Sequence, residues 1–306
     1  VRRKQGFLAD FFCVILGLLR SFRSGAAALE ALEQETETSA FATSDTGGRG
    51  RIVKLGMGDE TSADRPIDPR PVLVVTGLVQ EARIAAGPGM MVICSSSDPK
   101  QLRSLLTVFD PTSIRGVVSF GVAGGLDPSL KAGDIVVATE VTAGDARWLS
   151  GMSLREEHIA RAALKKRRVV RGVLAGAEEV VVAQARKAAL RMKTGAAAVD
   201  MESHIAAAYA AEYGLPFAAL RVISDPAHRT LPSLAKDAIK PNGAIDLPMI
   251  LRGVARNPTV LGGLVSTGIE FNRALRSLRG ARDLLLSGLL AAEHFLETET
   301  LAAAEA

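Results

Sequence analysis

From Val72 onward, short runs rich in valine and isoleucine alternate with stretches of helical spacing, and this alternation most restricts what the chain can fold into. Residues 72–76, 90–94, 116–120, 134–141, 169–174, 197–200 and 217–224 read as strands. Helical spacing marks 99–109, 154–165, 183–192 and 201–213, the last stopped by Gly214 and Pro216. Nearly continuous apolar strands separated by helices imply an α/β class with a mostly parallel, twisted central sheet flanked by helices. After Pro232 the pattern turns helical, at 247–255 and 261–290, with arginine-rich faces that suit packing over one side of the domain. An amphipathic stretch such as 272–290 also has the character of a membrane or partner contact.

Three segments follow from this pattern. Residues 1–70 predict a disordered N-terminal extension: a Thr-, Ser-, Gly- and acid-rich stretch runs through 30–50 and ends near Pro66, Pro69 and Pro71. The apolar run 11–19 behind Arg2, Arg3 and Lys4 is too short to span a bilayer and lacks a clear cleavage pattern. Residues 71–285 form the folded domain, and 286–306 a helical or disordered tail. Of 306 residues, 48% are hydrophobic, enough for a large core.

The two cysteines, Cys13 and Cys94, are isolated, which argues against a disulfide framework or structural zinc and favours a reducing cytoplasm. The net charge of +4 names no partner. The basic run 161–171 has no interleaved aromatics, so it reads as a solvated face and not as a nucleic-acid surface. His204 and His228 have no Ser or Cys partner in a nucleophile motif and no carboxylate at metal-ligand spacing; no metal site is expected.

Four segments carry the chemistry. VVSFGVAGGLDPSLKAGDIVV (117–137) is a buried strand, then Gly121, Gly124 and Gly125, a turn and another strand; glycines there allow a ligand or a tight turn close to the backbone. In VDMESHIAAAYAAEY (199–213), Asp200 can cap a helix whose first turn holds Glu202, placed either for ordinary capping or to accept hydrogen bonds from a ligand. FAALRVISDPAH (217–228) ends its strand in Asp225 before a proline. Alternation sets Arg221, Ile223 and Asp225 on one face, and a charged Arg in so apolar a strand needs a partner. VLVVTGLVQEA (72–82) ends at Gly77 with Glu81 four residues on. Glu81, Glu202 and Asp225 are thus expected on a common sheet edge.

In this order, the glycine-rich turn, Met-Glu at a helix start and Ser-Asp at a strand end resemble the purine nucleoside phosphorylase and nucleosidase superfamily. The segments VDMESHIAA, LPFAALRVISDPAHR and FGVAGGLDPSLKAGD are most similar to its hopanoid-associated phosphorylases, which act on adenosylhopane. The resemblance covers 71–285 and implies a three-layer phosphorylase/hydrolase-like fold. It implies loss of adenine through an oxocarbenium-like transition state, giving ribosylhopane or, if phosphate attacks, its phosphate. Methylthioadenosine/S-adenosylhomocysteine-type cleavage is the alternative within the superfamily, and a non-catalytic adenine-nucleoside or lipid-binding protein the alternative outside it.

By resemblance Asp225 protonates N7 of the base, which requires burial to raise its pKa toward neutrality, and Ser224 orients it. Glu202 grips the ribose hydroxyls, Met201 packs on the sugar, and Ala123, Gly124 and Gly125 floor the site. Glu81 activates water, and Val181 lies where nucleosidases carry the residue that stacks on the base. Two departures matter: Val122 replaces a hydroxyl residue of many relatives, and no aromatic stands near 180–182. Arg83 is the one candidate for phosphate, so hydrolysis and phosphorolysis both stay open; no cofactor is expected beyond phosphate as co-substrate. The implied partner is a small lipid nucleoside, met by a cytoplasmic homo-oligomer, a dimer favoured, that visits the inner membrane surface transiently.

Overall fold

In the computed structural model, which describes residues 68–151, 168–232 and 246–304, eight strands join in one sheet. The predicted helix 154–165 and nearly all of the N-terminal extension lie outside the described residues, as do the side chains beyond 282 in the last helix. In chain order the elements are β1 (Val72–Thr76), α1 (Val79–Ala85), β2 (Met90–Cys94), α2 (Pro99–Thr107), β3 (Gly116–Gly125), β4 (Ile135–Ala143), β5 (Ala146–Leu149), β6 (Val169–Gly176), α3 (Gln184–Thr194), β7 (Ala198–Asp200), α4 (Ser203–Glu212), β8 (Phe217–Asp225), α5 (Leu247–Arg256) and α6 (Leu261–Ala304).

The strand order is β2-β1-β3-β7-β6-β4-β5, with β8 bridging β3 and β4. Five pairings are parallel, and three (β3–β7, β4–β5 and β4–β8) are antiparallel, so the sheet is mainly parallel but mixed. The circuit β3–β8–β4–β6–β7 closes on itself. The hairpin β4–β5 turns on Gly144, whose φ of +61° costs a glycine little.

Strand alternation builds the layers. Val72 and Val74, Val118 and Phe120, and Ala218, Leu220 and Val222 face one side, where they meet Ile84 and Ala85 of α1 and Ala274, Leu275, Leu278 and Ala281 of α6. The latter four recur at helical spacing, so this stretch of α6 covers the core. Leu73, Val75, Val117, Ala219 and Ile223 face the other side, against Leu102 and Leu106 of α2 and Ile205, Ala206 and Ala210 of α4. The result is helix, sheet, helix, the three-layer α/β arrangement the sequence predicts.

Local signals set the ends. Asp98 accepts from the backbone N–H of Lys100 and Gln101 ahead of Pro99, the first residue of α2. Gly195, at φ +69°, closes α3. One expectation needs correction: the strand predicted to stop at Phe120 continues through Gly121, Gly124 and Gly125, because β8 and β7 pair with those glycines. Among the described residues no helix is long and apolar enough to cross a membrane.

Candidate active site

Arg221 is the centre of the site and is fully buried. It lies on β8, and alternation points it to the α4 side, the side of Ile223 and Ala219. Its guanidinium donates to Ser119 Oγ at 2.5 Å, Ser203 Oγ at 3.2 Å and the Val122 carbonyl at 3.3 Å. It is ion-paired with Asp200 at 3.2 Å and Glu202 at 3.4 Å. Burial opposes its charge, but Asp200, Glu202 and Glu81 outweigh burial and hold it above its ordinary pKa. A buried guanidinium survives only with such neutralisation.

Glu81 approaches from α1, a helix the sequence did not signal. Its Oε2 accepts from the backbone N–H of Gly77 at 2.8 Å and Leu78 at 2.9 Å, and its Oε1 from Val122 N–H at 2.7 Å. Burial raises its pKa against the pull of Arg221 and those three donors. Glu202 is the N-cap of α4 and not a first-turn residue as expected, while Asp200, two residues before it, accepts from the N–H of Glu202 at 2.9 Å and Ser203 at 2.6 Å. Burial, reinforced by repulsion from Asp200 and Glu81, pushes Glu202 up to about 7 despite Arg221.

Two glycines exist here because nothing larger fits. A Cβ on Gly77 would stand 2.7 Å from Glu202 Oε1. One on Gly121 would stand 2.7 Å from both Glu81 Oε1 and an Arg221 nitrogen. Glu202 also receives Ser95 Oγ at 3.3 Å, from a loop in which Ser96 and Ser97 both take φ +56°, a strained conformation for serine.

Asp225 lies further along the same strip. Its Oδ1 accepts from Ser224 Oγ at 2.7 Å, its Oδ2 from Lys187 Nζ at 2.5 Å, and Ser224 Oγ also reaches the Ala123 carbonyl at 3.2 Å. Burial raises the Asp225 pKa, outweighing Lys187 and Ser224. The alternation expected for Arg221, Ile223 and Asp225 does not hold. A register shift makes Ser224 an extra residue, so Ile223 pairs with Ala123 but Asp225 with Gly124.

The Arg221 cluster and Asp225 both border β3, at different residues. Gly121 lies between Glu81 and Arg221, Val122 bonds both, Ala123 bonds Ser224, and Gly124 lies against Asp225. Three strand steps separate Gly121 from Gly124, about 10 Å. Gly125 packs on the backbone of Asp225 and Ala227, so its missing side chain serves the protein itself. Val181, in the β6–α3 loop, is half-buried and packs with Leu126, Ala175 and Val199. Met201 is half-buried between β7 and α4.

His204 meets Glu178, 3.0 Å away, and Glu178 also pairs with Arg103. His228 is exposed, and so is Arg83, two residues past Glu81 and hence about 200° around α1. Sequence reasoning passed over Lys187, Ser119 and the pairing of Asp200 with Arg221. The apolar context of Arg221 was the one available signal, since it demanded an unnamed partner.

The family profile described as the phosphorylase superfamily matches residues 89–252, which hold Arg221, Glu202 and Asp225. The chain belongs to the phosphorylase superfamily. It is thus an enzyme of the nucleoside phosphorylase or nucleosidase type. Among solved structures, this superfamily member is similar in fold to the 5'-methylthioadenosine/S-adenosylhomocysteine nucleosidase of Helicobacter pylori, at 18% identity and TM-score 0.50, over 72% of this chain and 97% of the other. Futalosine hydrolase of the same organism matches at 17% identity and TM-score 0.51, over 72% and 97%. The Campylobacter jejuni methylthioadenosine/S-adenosylhomocysteine nucleosidase matches at 15% and 0.50, over 71% and 98%.

Proposed function

We propose that this protein hydrolyses the N-glycosidic bond of a purine nucleoside, removing adenine from adenosylhopane to leave ribosylhopane. One observation carries the hydrolytic reading: three carboxylates, Asp200, Glu202 and Glu81, surround a single guanidinium. A phosphate dianion would enter a pocket whose cation is already matched by acids, whereas water meets no such repulsion. Arg83, the cation considered for phosphate, is exposed on α1.

In this reading Asp225 gives its proton to N7 as the C–N bond breaks, a role suited to a carboxyl whose pKa burial raises. Glu81 takes the proton of the attacking water. Its three backbone donors fix its orientation and leave one lone-pair position for that water. Glu202 accepts from the sugar hydroxyls, with Met201 against the sugar, Ala123, Gly124 and Gly125 beneath it, and Val181 lining the base side. Arg221 keeps the two glutamates from repelling each other.

The choice of adenosylhopane rests on the resemblance of 199–207 and 215–229 to hopanoid-associated phosphorylases. Its polycyclic hydrocarbon partitions into a membrane, so the enzyme, proposed to be cytoplasmic and to act as a homodimer, collects substrate at a membrane surface. The test incubates the purified protein with adenosylhopane in vesicles and with methylthioadenosine, each with and without phosphate, and follows adenine release. Adenine from adenosylhopane at a phosphate-independent rate is expected. Release only with phosphate defeats hydrolysis, release only from methylthioadenosine defeats the substrate, and no release from either defeats the whole reading.

A further inference from the structure

Lys187 touches Asp225, and no step above uses it. It arises from α3, is fully buried, and donates to Asp225 Oδ2 at 2.5 Å, to the Pro226 and Arg229 carbonyls at 3.1 Å each, and more weakly to the Asp225 carbonyl at 3.4 Å. An ammonium has three N–H donors. All of them go to residues 225–229, so this lysine is built for one carboxyl and the turn behind it. Lysine is almost never fully buried without such pairing.

The turn is held from its other side as well. Arg229 bonds Glu270 at 2.6 Å and Ser266 at 3.2 Å, both on α6. The charged groups around Asp225 are therefore Lys187 from α3, Glu270 from α6, and Arg229 on the turn, already paired with Glu270; His228 on the turn is exposed. Ser224 fixes the second carboxyl oxygen.

We propose that Lys187 is a positioning residue for the acid, its ammonium locking the Asp225 carboxyl to the 225–229 turn and stabilising the carboxylate left after proton transfer. The inference rests on the reading of Asp225 as the acid. When the Asp225 O–H bond breaks, its proton passes to N7 and the electrons of the C–N bond pass to the purine. The buried anion that remains faces an ammonium already in place, so no reorganisation is needed at that moment.

The test follows adenine release from adenosylhopane against pH in wild type, Lys187→Met, Lys187→Gln, Lys187→Arg, and Lys187→Met combined with Asp225→Asn. Without the ammonium, Asp225 holds its proton more tightly, so the alkaline limb of kcat/KM moves up by about one pH unit or more in the Met and Gln variants. Turnover at the optimum falls about tenfold or more, with KM little changed. Lys187→Arg keeps the wild-type limb. In the Asp225→Asn background the lysine change costs less than about twofold, as a residue acting only through Asp225 requires.

A folded Met or Gln variant with the wild-type limb overturns the proposal, as does an equal cost in both backgrounds. If neither single variant folds, the double variant decides: folding restored by Asp225→Asn supports the pairing, and failure to fold makes Lys187 purely structural. No adenine from wild type refutes the function itself; normal wild-type turnover with an unmoved limb refutes only the role of Lys187.

Discussion

The backbone N–H of Val122 donates to Glu81 Oε1 at 2.7 Å, joining the first helix to the middle of β3 across 41 residues of chain. The valine side chain plays no part in that bond, so the carboxylate is held whatever side chain stands at this position. With Gly77 and Leu78 it completes a set of three main-chain donors around one buried glutamate.

Glu81→Gln preserves size but turns an amide donor toward backbone N–H groups and removes the proton acceptor. Steady-state adenine release is expected to fall by about 10²–10⁴-fold. A loss of less than tenfold would take Glu81 out of the role of base.

Asp225→Asn keeps the hydrogen bond from Ser224 but cannot protonate the leaving base. Turnover should drop by at least about two orders of magnitude, as loss of a general acid does. Near-normal turnover in that variant removes Asp225 from the mechanism.

Gly121→Ala would force a methyl against Glu81 and Arg221 at 2.7 Å. Overpacking of this kind costs about 1–3 kcal/mol, and activity should collapse further than stability because both displaced groups belong to the site. Chemical denaturation and adenine release on the same preparation measure the two losses, and a fully active variant contradicts the geometry.

Arg221→Met leaves Asp200, Glu202 and Glu81 without their shared cation. Breaking a buried pair by removing one partner costs about 3–5 kcal/mol, so the variant should unfold at markedly lower denaturant, most severely at alkaline pH where the acids must ionise. A midpoint within experimental error of wild type would show that the cluster does not depend on the guanidinium.

Stability should also depend on pH with a definite sign. Burial raises the folded-state pKa of Glu81, Glu202 and Asp225 alike, Glu202 to about 7. Groups raised on folding contribute stability that is complete below their unfolded pKa, about 4.5 for glutamate, and is lost as pH climbs through the folded one. The denaturation midpoint should therefore fall from about pH 5 to about pH 8, and Glu202→Gln should flatten part of that fall. A midpoint that climbs over this range contradicts the assignment.

Much of the fold was legible in the sequence because buried strands advertise themselves. Seven of the eight strands were expected close to their observed places; β5 was not, since Ala146–Leu149 is short and mostly exposed and has no core face to betray it. α1 escaped notice because seven residues give barely two turns of periodicity. The glycines of β3 suggested a turn; what keeps them in a strand is pairing with β7 and β8, which no local signal reports. In the site, Asp225, Glu202 and Glu81 stood out as carboxylates beside strand ends. Lys187 did not, because a lysine among Arg186, Arg191 and Lys193 reads as part of a solvated face until the turn it meets, 38 residues away, is seen. Asp200 was read as the cap, but Glu202 holds that position; Asp200, two residues earlier, accepts from the N–H of Glu202 and Ser203, and its pairing with Arg221 depends on a contact local reasoning cannot see.

The extra residue at Ser224 makes β8 a strand with two settings. Up to Ile223 it keeps step with β3 and delivers Arg221 to the cluster of acids; past Ser224 it runs one residue ahead and delivers Asp225 beside Gly124. The two deliveries differ by one residue of register, so in the proposed reaction the groups assigned to the sugar and the acid assigned to the base are placed by different stretches of one strand. If Asp225 faces the base as proposed, redesign for another base would begin at Asp225 and the turn after it, one residue out of step with the guanidinium and its three acids.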